Sequence, residues 1–228
     1  MMWLSWSSGK DSAFALHELA RAGRNVGALF TTLNARFDRV AMHGVRRALL
    51  EAQAAAAGLP LHVIDLPWPC SNVEYEARLG AFVAEARAAG VTEMAFGDLF
   101  LEDIRAYREK NLQGSGIAPV FPLWGRPTAT LAGEMIASGL VAHIATVDLA
   151  KLDVSFAGRM FDHAMLAELP AGVDRCGENG EFHTFVTSGP MFDQSIAFEA
   201  GDVVIRDGFA FADFVPHEAI GTGATAVS

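Results

Sequence analysis

Cysteine is scarce in this chain: Cys70 and Cys176 are the two thiols in 228 residues. Two thiols cannot build a disulfide framework, and they suit a reducing, cytoplasmic compartment. No apolar stretch approaches the ~20 residues a membrane-spanning helix needs. The opening Met1-Met2-Trp3-Leu4-Ser5-Trp6 has neither the apolar core nor the basic flank of a signal peptide. Lysine is rarer still relative to arginine, 3 against 14, and acidic residues outnumber basic ones 27 to 17. The resulting charge of −10 argues against a broad electrostatic grip on nucleic acid and leaves room for a local basic patch only. CxxC, HExxH and paired His/Cys clusters are missing, which argues against a protein-held zinc or iron–sulfur centre. What remains is apolar: 51% hydrophobic against 19% charged, a balance that excludes a disordered chain.

Apolar runs at residues 3–6, 26–33, 61–66, 91–96, 119–124 and 140–147 read as strands. Helical patterns separate them at residues 11–22, 45–57, 72–89 and 128–138. The third helix opens on Ser71 with Glu74 three positions later, a capping box, and continues with Leu79, Phe82, Val83 and Ala86 at helical spacing. Gly23, Gly58, Gly90 and Gly139 close the four helices, where a positive φ lets the chain turn back. Strands that are apolar without alternation suit a sheet covered on both faces. The expectation is a doubly wound, mainly parallel α/β sheet of the Rossmann-like kind, with ligands beyond the C-terminal strand ends. Past about residue 150 the pattern weakens to a helix at 157–169 and short strands at 182–187, 195–198 and 203–205. That divides the chain into a nucleotide-binding domain, 1–125, and a smaller α+β substrate-side domain, 126–228, with the boundary between 125 and 150. The tail 218–228 is expected to fray.

The strongest chemical signal is Ser7-Ser8-Gly9-Lys10-Asp11-Ser12, placed after a strand and at the opening of a helix. Backbone N–H groups at a helix N-terminus cradle an anion, glycine permits close approach, and two hydroxyls and a lysine add donors. The four-residue spacer and second glycine of the Walker A loop are missing. On spacing alone an ordinary capped strand-to-helix turn fits as well. In position and residues together, the segment resembles the PP-loop, S-G-G-x-D-S, of the ATP pyrophosphatase superfamily, with Ser8 where glycine is usual. That superfamily binds ATP at this loop and splits it between the α- and β-phosphates.

A second signal is Asp174-Arg-Cys176-Gly177-Glu178-Asn-Gly-Glu181-Phe-His183-Thr184, a polar loop with carboxylates, a thiol and an imidazole. Carboxylates and histidine move protons or orient an amine; a solvated turn is the bland alternative. The segment resembles the C-G-E-x-G-E-[FY]-x-T motif of the diphthine–ammonia ligase family. Gly97-Asp98-Leu99 with Glu102, Asp103, Arg105 and Arg108 resembles the family's G-[AD]-[IL] loop and polar helix. The three motifs in order, across residues 2–195, are similar to the shorter, bacterial-type branch of that family, an adenine nucleotide alpha hydrolase-like group.

The resemblance implies an ATP-dependent amide-forming ligase using Mg²⁺. A small-molecule or protein-borne carboxylate is adenylated, pyrophosphate leaves, and an amine, ammonia in the family, displaces AMP. Residues Ser7, Ser8, Gly9, Lys10, Asp11, Ser12, Gly97 and Asp98 would bind ATP, with Asp11 and Asp98 near the metal. Lys10, Glu178, Glu181 and His183 would be catalytic. Glu102, Arg105, Cys176, Gly177 and Thr184 would face the acceptor or amine, leaving ATP affinity to the PP-loop. Lys10 and Asp11 are expected partly exposed, and serine can serve at position 8 if the backbone angle there is ordinary. Two alternatives stay open: a PP-loop tRNA thiolase with Cys70 and Cys176 as its persulfide pair, and a non-catalytic adenine-nucleotide sensor. A homo-oligomer is compatible with either reading. Cys70 reads as a structural thiol, Asp162-His163 as a helix-surface pair, Arg46-Arg47 as solvent-facing, and Trp3, Trp6, Trp68 and Trp124 as core or pocket wall.

Overall fold

Strand β1 (Met2–Ser5) alternates its side chains between two apolar clusters. Met2 and Leu4 point to one and Trp3 to the other, as the pleat requires of a strand covered on both faces. The computed structural model describes residues 1–40 and 43–217. Helix α1 (Lys10–Arg21) follows, buries Ala13, Phe14, Leu16 and Leu19, and carries Asp11 in its first turn and Arg21 in its last, matching the helix dipole. Next come β2 (Val26–Asn34), β3 (Arg39–Val40), α2 (Arg47–Ala56), β4 (Leu61–Leu66), α3 (Asn72–Ala88), β5 (Glu93–Ala95), α4 (Glu102–Leu112) and β6 (Ala118–Val120). The remainder is α5 (Thr128–Ala137), β7 (Val141–Asp148), a 3-10 turn at Val154–Phe156, α6 (His163–Glu168), β8 (Phe182–Ser188), β9 (Phe198–Arg206) and β10 (Phe209–Pro216).

The first sheet is mainly parallel. β1 lies between β2 and β5, with Leu4 beside Leu29 on one side and Ala95 on the other. β4 and β6 extend it outward, and β3 adds antiparallel to the far end of β2. The chain builds from β1 toward β4, then returns to the other side of β1 for β5 and β6. This reversal opens a crevice between the C-terminal ends of β1 and β5. The second sheet is antiparallel, in the order β8-β7-β10-β9. One apolar cluster joins the sheets, from Leu4, Leu29 and Leu49 to Ile144, Phe185 and Phe214. No helix among the described residues is long and apolar enough to cross a membrane.

Several expectations change. The helix expected at 157–169 shrinks to α6, because residues before it lend backbone groups to β7. Gly158 N–H donates to Ile144 O, and Phe161 N–H donates to Ala142 O, both at 2.8 Å. The strand expected at 203–205 lies inside β9, which takes in only Phe198 of the one expected at 195–198, and β10, with Phe209 and Phe211 alternating against Ala210 and Ala212, was not anticipated. Ser71 caps α3 by accepting from Glu74 N at 3.2 Å, but the Glu74 carboxylate reaches Arg78 instead of closing the box. Trp3 and Trp6 are buried, whereas Trp68 is 56% exposed. Arg46 pairs with Asp213, and Arg47 with Asp38 and Asp65. Asp162 caps α6 by accepting from Met165 N at 2.8 Å. The tail 218–228 lies outside the described residues.

Candidate active site

The loop after β1 is held from below. Gln53, fully buried on α2, accepts from Trp6 Nε1 at 2.9 Å and donates to the carbonyls of Ser8 at 3.1 Å and Val186 at 2.6 Å. That clamp fixes Ser8 at φ 71°, a left-handed conformation that strains any residue but glycine. The condition of an ordinary angle at Ser8 is therefore not met, and its buried hydroxyl also finds no partner. Ser7 and Ser12 hydroxyls approach to 3.3 Å, and Ser12 Oγ donates to Gly9 O at 3.0 Å. Gly97 presses on the first turn of α1, where a Cβ would stand 2.9 Å from the Asp11 carbonyl carbon.

Lys10 is 1% exposed, not partly exposed as the loop position suggested. Its Nζ donates to Asp11 Oδ2 at 2.9 Å and to the Cys176 carbonyl. Its backbone N–H donates to Thr184 Oγ1 at 2.9 Å. Both segments singled out in the sequence thus meet at this lysine. Burial pulls the Lys10 pKa down, but Asp11, Cys176 and Glu178 outweigh it and hold the ammonium charged. Burial pushes the Asp11 carboxyl up, with Lys10 opposing.

The second loop is organised by Asp174, whose Oδ2 accepts from Cys176 N at 2.9 Å and Glu178 N at 3.1 Å. Gly177, at φ 69°, leaves no room for a side chain: a Cβ would stand 2.7 Å from Phe182 O. The turn aims Glu178 back at the loop after β5, where its Oε1 accepts from Leu99 N at 2.7 Å. Burial, with the Asp11 charge adding to it, raises the Glu178 pKa to about 7. His43, between β3 and α2, lies against Thr184 O at 3.1 Å, with its ring 4.7 Å from that of His183. Burial lowers His43 to about 4, and burial, His43 and Lys10 lower His183 well below its ordinary value. Both imidazoles are neutral at pH 7.

These parts enclose a cavity of about 530 Å³ at the crevice between β1 and β5, within the usual range for small-molecule sites. Ser7, Asp11, Ser12, Gly97, Asp98, Gly177, Glu178, His183 and Thr184 line its polar end together with His43. Ile64, Leu79, Val83 and Phe96 line an apolar end, beside Tyr75, Arg108 and Asn111. Two buried polar atoms on its walls, Asp11 Oδ1 and Asn111 Nδ2, have no partner. An acceptor at the polar end and a donor at the apolar end fit a metal–triphosphate head and a base edge. No group of three or more His, Cys, Asp or Glu among the described residues makes a metal cage. Asp11 and Asp98 fit the sparser mode in which Mg²⁺ keeps its waters and binds through phosphates and one or two carboxylates.

Other expected residues lie elsewhere. Lys10, Cys176 and Glu181 stand behind the cavity rather than on its wall. Glu181, 3% exposed, accepts from Asp174 N at 3.1 Å and Asn179 Nδ2 at 3.0 Å. Burial pushes the Cys176 thiol up to about 12. Glu102 is exposed on α4, and Arg105 stacks on Phe121 and Trp124 at 4.9 and 4.8 Å. One turn on, Arg108 meets Asp98 at 3.3 Å. His43, Gln53, Asp174 and Asn111 escaped sequence reasoning; of these, Asp174 alone sat inside a motif.

A polar loop after the central strand, opening into a cavity at the switch point, is the layout of a nucleotide-binding α/β protein of the PP-loop class. Residues 2–119 match the diphthamide synthase N-terminal domain and residues 128–209 the diphthamide synthase C-terminal domain. The chain belongs to the diphthamide synthase family and is an ATP-dependent ligase. The diphthine–ammonia ligase of Danio rerio is 29% identical, over 90% of this chain and 89% of its own. That of Homo sapiens is 28% identical, over 90% and 85%. A solved structure described as a predicted subunit of tRNA methyltransferase from Methanocaldococcus jannaschii superposes with a TM-score of 0.41 at 18% identity. It covers 67% of this chain and 80% of that one.

Proposed function

We propose that this chain joins a carboxylate to ammonia or another amine by way of an acyl adenylate. The carboxylate oxygen attacks the α-phosphorus of ATP and pyrophosphate leaves; the amine then attacks the acyl carbon and AMP leaves. The observation that carries the proposal is the convergence of two distant loops on one cavity, with Asp11 Oδ1 unpartnered and Glu178 poised near pH 7. The Ser7 and Ser12 hydroxyls, on the cavity wall at the start of α1, hold the phosphates. Lys10 is a positioning residue that ties the loops together and balances Asp11. Asp11 and Asp98 would hold Mg²⁺, which when bound offsets phosphate charge. Glu178 and the neutral His43 and His183 stand where a proton leaving the amine nitrogen can be accepted. The acceptor is a carboxylate on a small molecule or a protein, with diphthine, named in the relatives, as the first to try.

The thiolase alternative needs an accessible, readily ionised cysteine. Cys176 is 1% exposed with its thiol raised to about 12, and neither cysteine lines the cavity. The test is product analysis with ATP labelled at the α-phosphate, in the presence of ammonium and either a diphthine-bearing substrate or a panel of carboxylic acids. AMP, pyrophosphate and an amide are expected. ADP and inorganic phosphate as the stoichiometric products would overturn the reading.

A further inference from the structure

The two edges of the second sheet are treated differently. On the β8 side, Val186 N–H donates to Ser8 O at 3.0 Å and Ile196 N–H to Thr187 O at 2.7 Å, so the edge is covered. β9, at the other edge, pairs with β10 alone among the described strands. Exposed edges are ordinarily blunted by lysine or proline. β9 instead presents Val203, Val204 and Ile205, 45%, 55% and 61% exposed, which are strand-favouring β-branched residues.

The flat part of this edge is short and symmetric about one residue. At one end the pairing skips from Val203 opposite Ala212 to Ala200 opposite Phe214, so Gly201 and Asp202 form a bulge facing Asp213. At the other end Asp207 and Gly208, at φ 52° and 82°, make a two-residue turn flanked by the Arg206–Phe209 pair. From Asp202, the second residue of the bulge, to Arg206 before the turn runs a five-residue stretch centred on Val204. In such a hairpin the pair next to the turn exchanges both backbone bonds. Alternation then turns the N–H and C=O of Ile205 and Val203 outward. Val204 and Arg206 share the face of the sheet that carries Phe211, over which the Arg206 guanidinium lies at 5.3 Å.

We propose that β9 pairs antiparallel with β9 of a second copy of this chain, about a two-fold axis at Val204, joining two four-stranded sheets edge to edge. In that register Val203 and the partner's Ile205 exchange both outward backbone bonds, and the symmetric pair does the same. Val204 packs on its own counterpart. Asp202 stands opposite the partner's Arg206 at both ends, so charge and hydrogen bonding are satisfied together. Neighbouring registers lose this match. Centring on Val203 sets Glu199 against Asp207, centring on Asp202 sets that carboxylate against itself, and centring on Ile205 sets Arg206 against Val204.

Sedimentation equilibrium on the full chain tests the pairing. A monomer–dimer equilibrium in the micromolar range is expected. Val204→Lys should give monomer with an unchanged circular dichroism spectrum. Arg206→Asp should weaken the dimer by about tenfold or more, because it sets like charges opposite each other twice. Adding Asp202→Arg to Arg206→Asp should restore it. A monomeric parent, a dimer indifferent to both single variants, or a charge swap that fails to restore pairing would each overturn the proposal. So would a chain ended at His217 that dimerises when the intact chain does not, since residues 218–228 would then be what covers the edge.

Discussion

The backbone N–H of Lys10 donates to the Thr184 hydroxyl at 2.9 Å, which fastens the first residue of α1 to β8 of the other sheet. The same lysine's ammonium bonds the Cys176 carbonyl and the Asp11 carboxylate. Removing it leaves the half-buried Asp11 carboxylate without its counter-charge. Lys10→Met is therefore expected to destabilise the protein by about 1–3 kcal/mol, less than for a pair buried at both ends. Adding Asp11→Asn should recover part of that loss, because the stranded charge is gone. Urea unfolding of the two variants and the parent checks it. Equal stability of parent and Lys10→Met would show that the lysine is not structural.

Ser8 sits at φ 71° with a buried hydroxyl that has no partner, so both its Cβ and its oxygen are unfavourable there. Ser8→Gly should stabilise by about 1 kcal/mol, raising the thermal midpoint by about 2–4 °C. A calorimetric scan that moves the other way would mean the serine is held by something the fold does not display.

Gly97→Ala adds a Cβ 2.9 Å from the backbone of Asp11, which cannot yield without shifting the phosphate loop. Lost stability of about 1–3 kcal/mol is expected, together with weaker ATP binding. Gly80→Ala, on the open face of α3, is the control, since nothing lies within 4 Å. Titration calorimetry with ATP on both variants separates a local push from a general effect.

Glu178 carries a pKa of about 7 against an ordinary 4.5. Between those values the folded chain holds a proton that the unfolded chain has lost, so unfolding releases it and stability falls as pH rises, levelling off above 7. Glu178→Gln keeps an acceptor for Leu99 N–H but removes the buried charge. It should be more stable than the parent at pH 8 by about 1–3 kcal/mol, with the difference closing near pH 4.5. Turnover should fall roughly 10²–10⁴-fold, while ATP affinity stays within a few-fold. A parallel loss of affinity would place Glu178 in the nucleotide or metal site.

His43 behaves oppositely at the acid end. Its pKa is about 4 against 6.5, so below pH 6.5 the unfolded chain takes up a proton the folded one refuses, and stability falls as pH drops toward 4. His43→Gln should flatten that limb by about 1–3 kcal/mol. Guanidinium unfolding at pH 5 and pH 8 measures it. An unchanged acid limb would show that His43 is hydrated.

Local sequence was sufficient wherever one segment settles its own conformation. The first sheet's apolar runs, glycine-ended helices and the strand-to-helix turn at residues 7–12 were legible because backbone geometry, helix capping and period-3.6 or uninterrupted apolar spacing act over a few residues. The second sheet was less legible. β10 alternates clearly, yet it follows a turn near the end of the chain, and the stretch before α6 gave up its helix to serve β7.

The site divides along the same line. Residues 7–12 and 174–184 stood out as two polar segments, but nothing local says that Lys10 bonds Cys176, 166 positions away. His43, Gln53 and Asn111 are ordinary polar residues within their own helices or loops. They acquire a role only when folding buries them beside the loops, because burial removes the water that would otherwise satisfy them. Sequence by itself determined the parallel sheet, the polar loop after its central strand and the ligase family. Tertiary structure alone decided that Lys10 faces inward, that Glu178 titrates near 7, and that two motifs share one cavity. Those properties depend on which distant charges and backbone groups are enclosed together at low dielectric.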